Sequence, residues 1–256
     1  PGAEDLGILS YLRHGRGASV VSVYVTNGEA GEHDGKWLYP HQLAGVRREE
    51  AFTVCSMLGV ESLFVNIPDV GSTPDTTALL SVWSADSLKV KIGRAISRYR
   101  PDLIVLFGDP GPEGERSLRW GVIRDVTTEV VQALASRTDR LVIVGGRLLD
   151  SWSVGRFVAE LPTGLSFPAE KRDPVYHASH SALGQELERR YASLRLQHRR
   201  WQERRSRRFV IQGVSDKRPR SLADEGLPKK LPGPLAPTGS EVAAVAGGLV
   251  SDVEKS

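Results

Sequence analysis

Val20-Val21-Ser22-Val23-Tyr24-Val25-Thr26, running into Asn27-Gly28-Glu29-Ala30-Gly31, is the stretch on which the fold turns. Its β-branched run, bounded by Gly17 and Gly28, reads as a buried strand over Ser19 to Thr26 that empties into a Gly-rich loop. Immediately upstream, Leu6, Ile8, Leu9 and Leu12 recur at helical spacing and are closed by Gly15 and Gly17, which predicts a short helix over Leu6 to His14. Pro1-Gly2-Ala3-Glu4-Asp5 then reads as a loop that follows a strand. No strand precedes Pro1. A doubly wound sheet without a central strand would expose two unpaired edges, so residues upstream of Pro1 are expected. Two loops at one edge of a parallel sheet are where α/β proteins build their sites.

Working outward, the pattern of strand and helix repeats. Asn27 to Pro40 is polar and aperiodic; Asn27-Gly28 resembles a hairpin signal, but the long polar stretch behind it argues for a pocket loop. Arg47 to Leu58 is a predicted helix with Ala51, Val54, Cys55 and Leu58 on one face, ended by Gly59. Val60 to Ile67 is a strand with the exit loop Pro68-Asp69-Val70-Gly71. Ser84 to Arg100 is a helix, Leu103 to Phe107 a strand, Gly121 to Ala135 a helix and Leu141 to Val144 a fourth strand. This alternation predicts an α/β protein, a Rossmann-like three-layer fold with a mainly parallel sheet. After Arg147 the pattern weakens. Ser181 to Arg208 reads as one long C-terminal helix, with Leu183, Leu187, Tyr191, Leu194, His198 and Trp201 in a single stripe. Phe209 to Gln212 is a candidate short strand. Residues 1–214 are expected to form one α/β domain, and 215–256, rich in Pro, Gly and Lys, a disordered tail.

Composition narrows the class. A chain of 256 residues with 40% hydrophobic and 25% charged residues is long enough for one sizeable core. The single cysteine, Cys55, excludes a disulfide framework and a Cys-rich zinc site, and fits a reducing compartment. No apolar run reaches spanning length, so there is no transmembrane segment, and a cytoplasmic location is expected.

The order of these pieces resembles the PIG-L/LmbE-type deacetylases, zinc-dependent enzymes that remove N-acetyl groups from amino sugars. Pro1 and Glu4 resemble the proline and glutamate of the family's first motif, His-Pro-Asp-Asp-Glu, and Leu6-Gly7 the residues that commonly succeed it. Thr26-Asn27-Gly28-Glu29 resembles the second motif, and Arg47 with Glu50, then Leu58-Gly59-Val60, the third. The resemblance is best over residues 1–145. It implies that Glu29, Arg47 and Asp69 contact a sugar-like substrate. Chemistry agrees, because an arginine fork and a carboxylate suit paired hydroxyls. Read without the family, Arg47 is a first-turn surface residue and Asp69 a turn former.

The departures bear on chemistry. The family's metal-binding His would precede Pro1. Gly2 and Ala3 stand at its two Asp positions, and Leu118 at its third ligand position. None of these side chains can ligate zinc or accept a proton from water. Glu4, Asp5, Asp109, Glu113 and Glu115 lie in or beside the same loops as substitute ligands, although carboxylates alone suit harder cations. Tyr176-His177-Ala178-Ser179-His180 resembles a late family segment whose His, here His177, assists the transition state; otherwise His177 and His180 are surface histidines before a helix. Gly108 to Gly114 lacks the Gly-Lys-Ser/Thr ending of a phosphate loop.

The expectation is therefore a non-catalytic relative of the amino-sugar deacetylases, without a cofactor, binding an amino sugar, a glycoconjugate or a protein partner. One alternative is an active deacetylase using zinc or another divalent metal on non-standard ligands. Another is a binder of nucleic acid or an anionic surface through the basic stretch 189–208, whose bland reading is a solvated helix face.

Overall fold

The computed structural model describes residues 1–2, 4–30, 38–71, 75–108, 118–135, 139–173, 175–194 and 209–214. The first helix, α1 (Leu6–Ser10), continues as a π-helical turn over Tyr11–Gly15 and leads to β1 (Val21–Tyr24). Then come α2 (Pro40–Met57), β2 (Glu61–Phe64), α3 (Thr76–Val82), α4 (Ala85–Tyr99), β3 (Leu103–Leu106) and α5 (Leu118–Leu134). The chain continues with β4 (Leu141–Val144), β5 (Arg147–Asp150), β6 (Arg156–Leu165), α6 (His180–Glu188), a 3-10 turn at Ala192–Leu194 and β7 (Phe209–Val214).

The architecture is α/β, and among the described residues its strands pair in three small groups, β1–β2, β3–β6–β7 and β4–β5, rather than in the single mainly parallel sheet expected. β1 pairs in parallel with β2, Tyr24 opposite Phe64, and β3 in parallel with β6, Leu103 opposite Arg156. β6 also pairs antiparallel with β7. Because β1 and β2 are parallel, their exit loops emerge at the same edge. Val65 N–H to Tyr24 O (2.8 Å) and Ile67 N–H to Val25 O (2.9 Å) keep the two chains together as they leave the sheet.

Several elements depart from the sequence expectation for local reasons. α2 starts at Pro40 rather than Arg47: proline suits the first helical position, and the Gln42 side chain accepts from Tyr39 N–H at 3.0 Å. α3 is an additional helix, capped by Asp75, whose carboxylate accepts from Ala78 N–H at 2.7 Å. β4 and β5 form an antiparallel hairpin across Gly145-Gly146, both left-handed at φ +54° and +76°, as a two-residue hairpin turn requires. The long helix expected over Ser181 to Arg208 is not continuous. α6 ends at Glu188, and Arg190 and Tyr191 N–H fold back on Leu187 and Glu188 carbonyls (both 3.0 Å) before the 3-10 turn. Residues 195–208, which hold most of the basic stretch, lie outside the described residues, as does 215–256.

The core forms around two principal helix groups. Leu79, Trp83, Leu88, Ile92, Val126, Val130 and Leu134 of α3 to α5 and their caps pack with Val144 and Leu149 of the hairpin. On the other side, Leu6, Leu9, Tyr24, Ala51, Val54, Cys55, Leu187 and Tyr191 bring α1, α2, β1 and the α6 region together. Burial at this density is the dominant stabilising term, roughly 1.5–3 kcal/mol for each large apolar side chain.

α6 lies antiparallel along α1. His180, at its start, reaches Ser10, whereas Tyr191, just beyond its end, reaches Glu4. Between these ends the backbones nearly touch: a Cβ on Gly184 would lie 2.3 Å from Gly7 N. Only glycine fits there.

Candidate functional site

The exit loops of β1 and β2 build one polar corner. Glu29, in the first loop, accepts from Asp69 N–H of the second at 2.9 Å through Oε1. Asp69 is turned back by its own loop, its Oδ1 accepting from Gly71 N–H at 3.1 Å. The same oxygen receives Arg119 Nη1 from the first turn of α5 at 2.7 Å. Arg47 rises from α2 and donates through Nη1 to the Gly28 carbonyl. It is almost fully buried, and burial lowers its pKa while Asp69, Glu50 and Glu29 oppose the shift. Glu29, Arg47 and Asp69, separated widely in sequence, thus meet at one edge of the sheet.

This corner alternates acceptors and donors. The Glu29 and Asp69 carboxylates meet the Arg47 and Arg119 guanidinium groups there, and Glu50 also acts on Arg47. Asn27 Oδ1 and Glu29 Oε2 are buried without a hydrogen-bond partner among the described residues. Buried acceptors in folded proteins are normally satisfied by protein groups or ordered water. Arg119 was not singled out by the sequence. Its neighbour Leu118 drew attention as a motif position, and only the fold shows Arg119 closing on a carboxylate 50 residues away.

The positions of the first motif are held by a separate network. Gly2, buried and left-handed at φ +87°, donates its N–H to Glu4 Oε2 at 2.7 Å. Glu4 Oε1 accepts from the Tyr24 hydroxyl at 2.9 Å and from the Tyr191 hydroxyl. Tyr24 also meets Cys55 Sγ at 3.3 Å. Burial, then the Glu4 charge, pushes both phenols well above their ordinary range, so both remain donors. Asp5 caps α1, accepting from Ile8 N–H at 2.9 Å. Leu118 opens α5 with its side chain partly exposed. Ala3, Asp109, Glu113 and Glu115 lie outside the described residues.

A zinc site needs about three N, O or S donors. Among the described residues no group of three His, Cys, Asp or Glu side chains is gathered for a metal. Glu4 spends its oxygens on Gly2, Tyr24 and Tyr191, and Gly2 and Leu118 offer no donor. The described residues do not fit the metal that the deacetylase motifs imply.

His177 sits elsewhere. It is exposed, left-handed at φ +55°, in a turn where its carbonyl accepts from Arg172 Nε at 2.6 Å. Its neighbour Tyr176 packs edge-on to His14, ring centroids 5.4 Å apart, near the end of the first helix opposite Glu4. His177 therefore does not join Glu29, Arg47 and Asp69.

Parallel pairing of β1 with β2 and the polar corner at their exit loops frame the comparison with known proteins. Residues 6–116 match the PIG-L family model, described as GlcNAc-PI de-N-acetylase. The conserved protein TT1542 from Thermus thermophilus is similar in structure, with a TM-score of 0.53 at 17% identity, over 87% of this chain and 94% of that one. The N,N'-diacetylchitobiose deacetylase from Pyrococcus horikoshii gives a TM-score of 0.56 at 16% identity, over 82% of this chain and 78% of that one. At these identities the likeness establishes the fold alone. No curated protein sequence matches the chain. Among the described residues, no helix is long and apolar enough to cross a membrane.

Proposed function

We propose that this protein binds an amino sugar or glycoconjugate without hydrolysing it, as a non-catalytic relative of the metal-dependent N-deacetylases. The observation that carries this reading is the convergence of Glu29, Arg47, Asp69 and Arg119 on one corner, with Asn27 Oδ1 and Glu29 Oε2 buried and unsatisfied among the described residues. Carboxylates that accept from vicinal hydroxyls, flanked by arginines that donate, make a complementary surface for a polyol. The deacetylase in the structural comparison acts on N,N'-diacetylchitobiose, which makes an N-acetylated sugar the natural first probe. The absence of catalysis rests on Gly2, Ala3 and Leu118 at the motif positions where the family places its base and ligands.

The test has two arms. In the first, N-acetylglucosamine is titrated against the full chain by calorimetry or saturation-transfer NMR. Asp69→Asn and Glu29→Gln are each expected to weaken binding about tenfold or more, since each removes a charged acceptor. Absence of binding, or binding that neither substitution alters, defeats the sugar reading. In the second, protein purified without chelator is analysed for metal and assayed for acetate release from the same sugar. Stoichiometric zinc accompanied by acetate release defeats the non-catalytic reading and favours the deacetylase with non-standard ligands.

A further inference from the structure

A second cluster of ionisable groups lies between the first helix and α6, buried at its centre. Asp173 and His180 are 1% and 2% exposed, and Ser10 is fully buried. His180 Nδ1 is 2.9 Å from Ser10 Oγ and 3.9 Å from Asp173 Oδ2. Asp173 Oδ1 is committed to Val175 and Tyr176 N–H at 2.8 and 2.9 Å, which leaves Oδ2 without a hydrogen bond among the described residues. His14, on the π turn, has its Nε2 buried and likewise unpartnered. Tyr11 packs edge-on to His180 at 5.6 Å, and Tyr176 does the same to His14. Asp173, Arg13 and His180 all act electrostatically on His14.

The cluster has an electrostatic asymmetry. It holds two imidazoles and one carboxylate. A single proton placed on either ring is balanced by Asp173. A second makes two imidazolium groups around one carboxylate, with Arg13 nearby, while His180 and Asp173 are shielded from water. Burial lowers the pKa of both rings, with Asp173 opposing in each case. Their position matters because side-chain hydrogen bonds tie the α6 region to the first helix and to the loop before it at opposite ends. This cluster is at one end; at the other, Tyr191 meets Glu4.

We propose that Asp173, His180, His14 and Ser10 form an acid-labile clasp that holds α6 to the first helix and opens when both histidines are protonated. Opening it frees one end of the helix whose other end begins at Asp5, directly after the first loop. The cluster's geometry is independent of any ligand reading, and so is its test.

Hydrogen exchange of the full chain, read by mass spectrometry between about pH 7.5 and about pH 5 and corrected for intrinsic rate, follows the clasp. Protection in peptides covering Leu6–Gly15 and His180–Glu188 is expected to fall together by about tenfold or more, while α4 keeps its protection. His180→Asn retains a donor or acceptor near the Nδ1 position but does not titrate, and His14→Gln does the same for Nε2. Each is expected to flatten the pH response of both peptides. If His180→Asn fails to fold, His14→Gln alone decides. Protection unchanged across the range, or an undiminished pH response in the folded variants, overturns the proposal.

Discussion

Glu4 gathers hydrogen bonds from three separate parts of the chain. It is buried, and it joins the Gly2 backbone, Tyr24 of β1 and Tyr191 beyond α6. Glu4→Gln keeps its shape but replaces charge-assisted bonds with neutral ones, and its amide adds a donor that finds tyrosine hydroxyls already oriented as donors. We expect a loss of about 1–3 kcal/mol, read from urea midpoints. Tyr191→Phe removes one donor and should cost about 1 kcal/mol. The double variant should lose less than the sum, because both changes act on one bond; strict additivity would separate Tyr191 from Glu4. At this scale the sequence was informative where a residue sits in an ordered motif. Glu29, Arg47 and Asp69 could be nominated from motif order. Arg119 could not, since its meaning is its distance to Asp69. Nor could the sequence tell that Glu4, offered as a substitute metal ligand, is enclosed by two tyrosines.

Among the elements, the α1–α6 contact is the most demanding. Gly184→Ala would drive its Cβ into the Gly7 backbone, and Gly7→Ala would meet Ser181 Cα at 3.0 Å. Backbone cannot move aside as a side-chain tip can. Gly184→Ala is therefore expected to lose about 1–3 kcal/mol, or more, in thermal unfolding. Gly45 provides the contrast. It is exposed in the middle of α2, with nothing within 4 Å of a Cβ placed there. Gly45→Ala should stabilise by about 0.5–1 kcal/mol in the same assay. A loss at Gly45 matching that at Gly184 would remove the packing explanation. Strands and helices with one apolar face were readable from periodicity alone. The over-extended C-terminal helix shows why periodicity also misleads: the apolar stripe runs on through Tyr191, but Glu4 draws the Tyr191 hydroxyl inward. Ser193 then docks on Glu50 through its N–H at 2.8 Å and its hydroxyl at 2.6 Å, so the chain turns instead of continuing.

For the whole molecule, stability should depend on pH in a direction the histidines fix. His14 and His180 both have folded-state pKa values below the ordinary one, chiefly through burial. The unfolded chain then binds protons first. Stability is full above the unfolded pKa of about 6.5 and is lost as pH falls below it, until the folded-state values are passed. Each group can contribute a slope of at most about 1.4 kcal/mol per pH unit. Urea midpoints measured from about pH 7.5 down to about pH 5 should decline, and less so in His180→Asn. A midpoint that is flat or rises on acidification contradicts this assignment.

The sequence by itself determined the alternation of strand and helix, the loops expected at one sheet edge and the family they resemble. It did so because apolar periodicity, glycine stops and motif order are properties of neighbours in the chain. Only the tertiary structure decided which charges face which. Parallel pairing of β1 with β2 brings Glu29 to Asp69, α5 delivers Arg119 to the same carboxylate, and the antiparallel α6 carries Tyr191 to Glu4 while leaving His177 at the other end. Such pairings depend on distances of a few ångströms between residues far apart in sequence. Packing fixes those distances, and no local pattern encodes them.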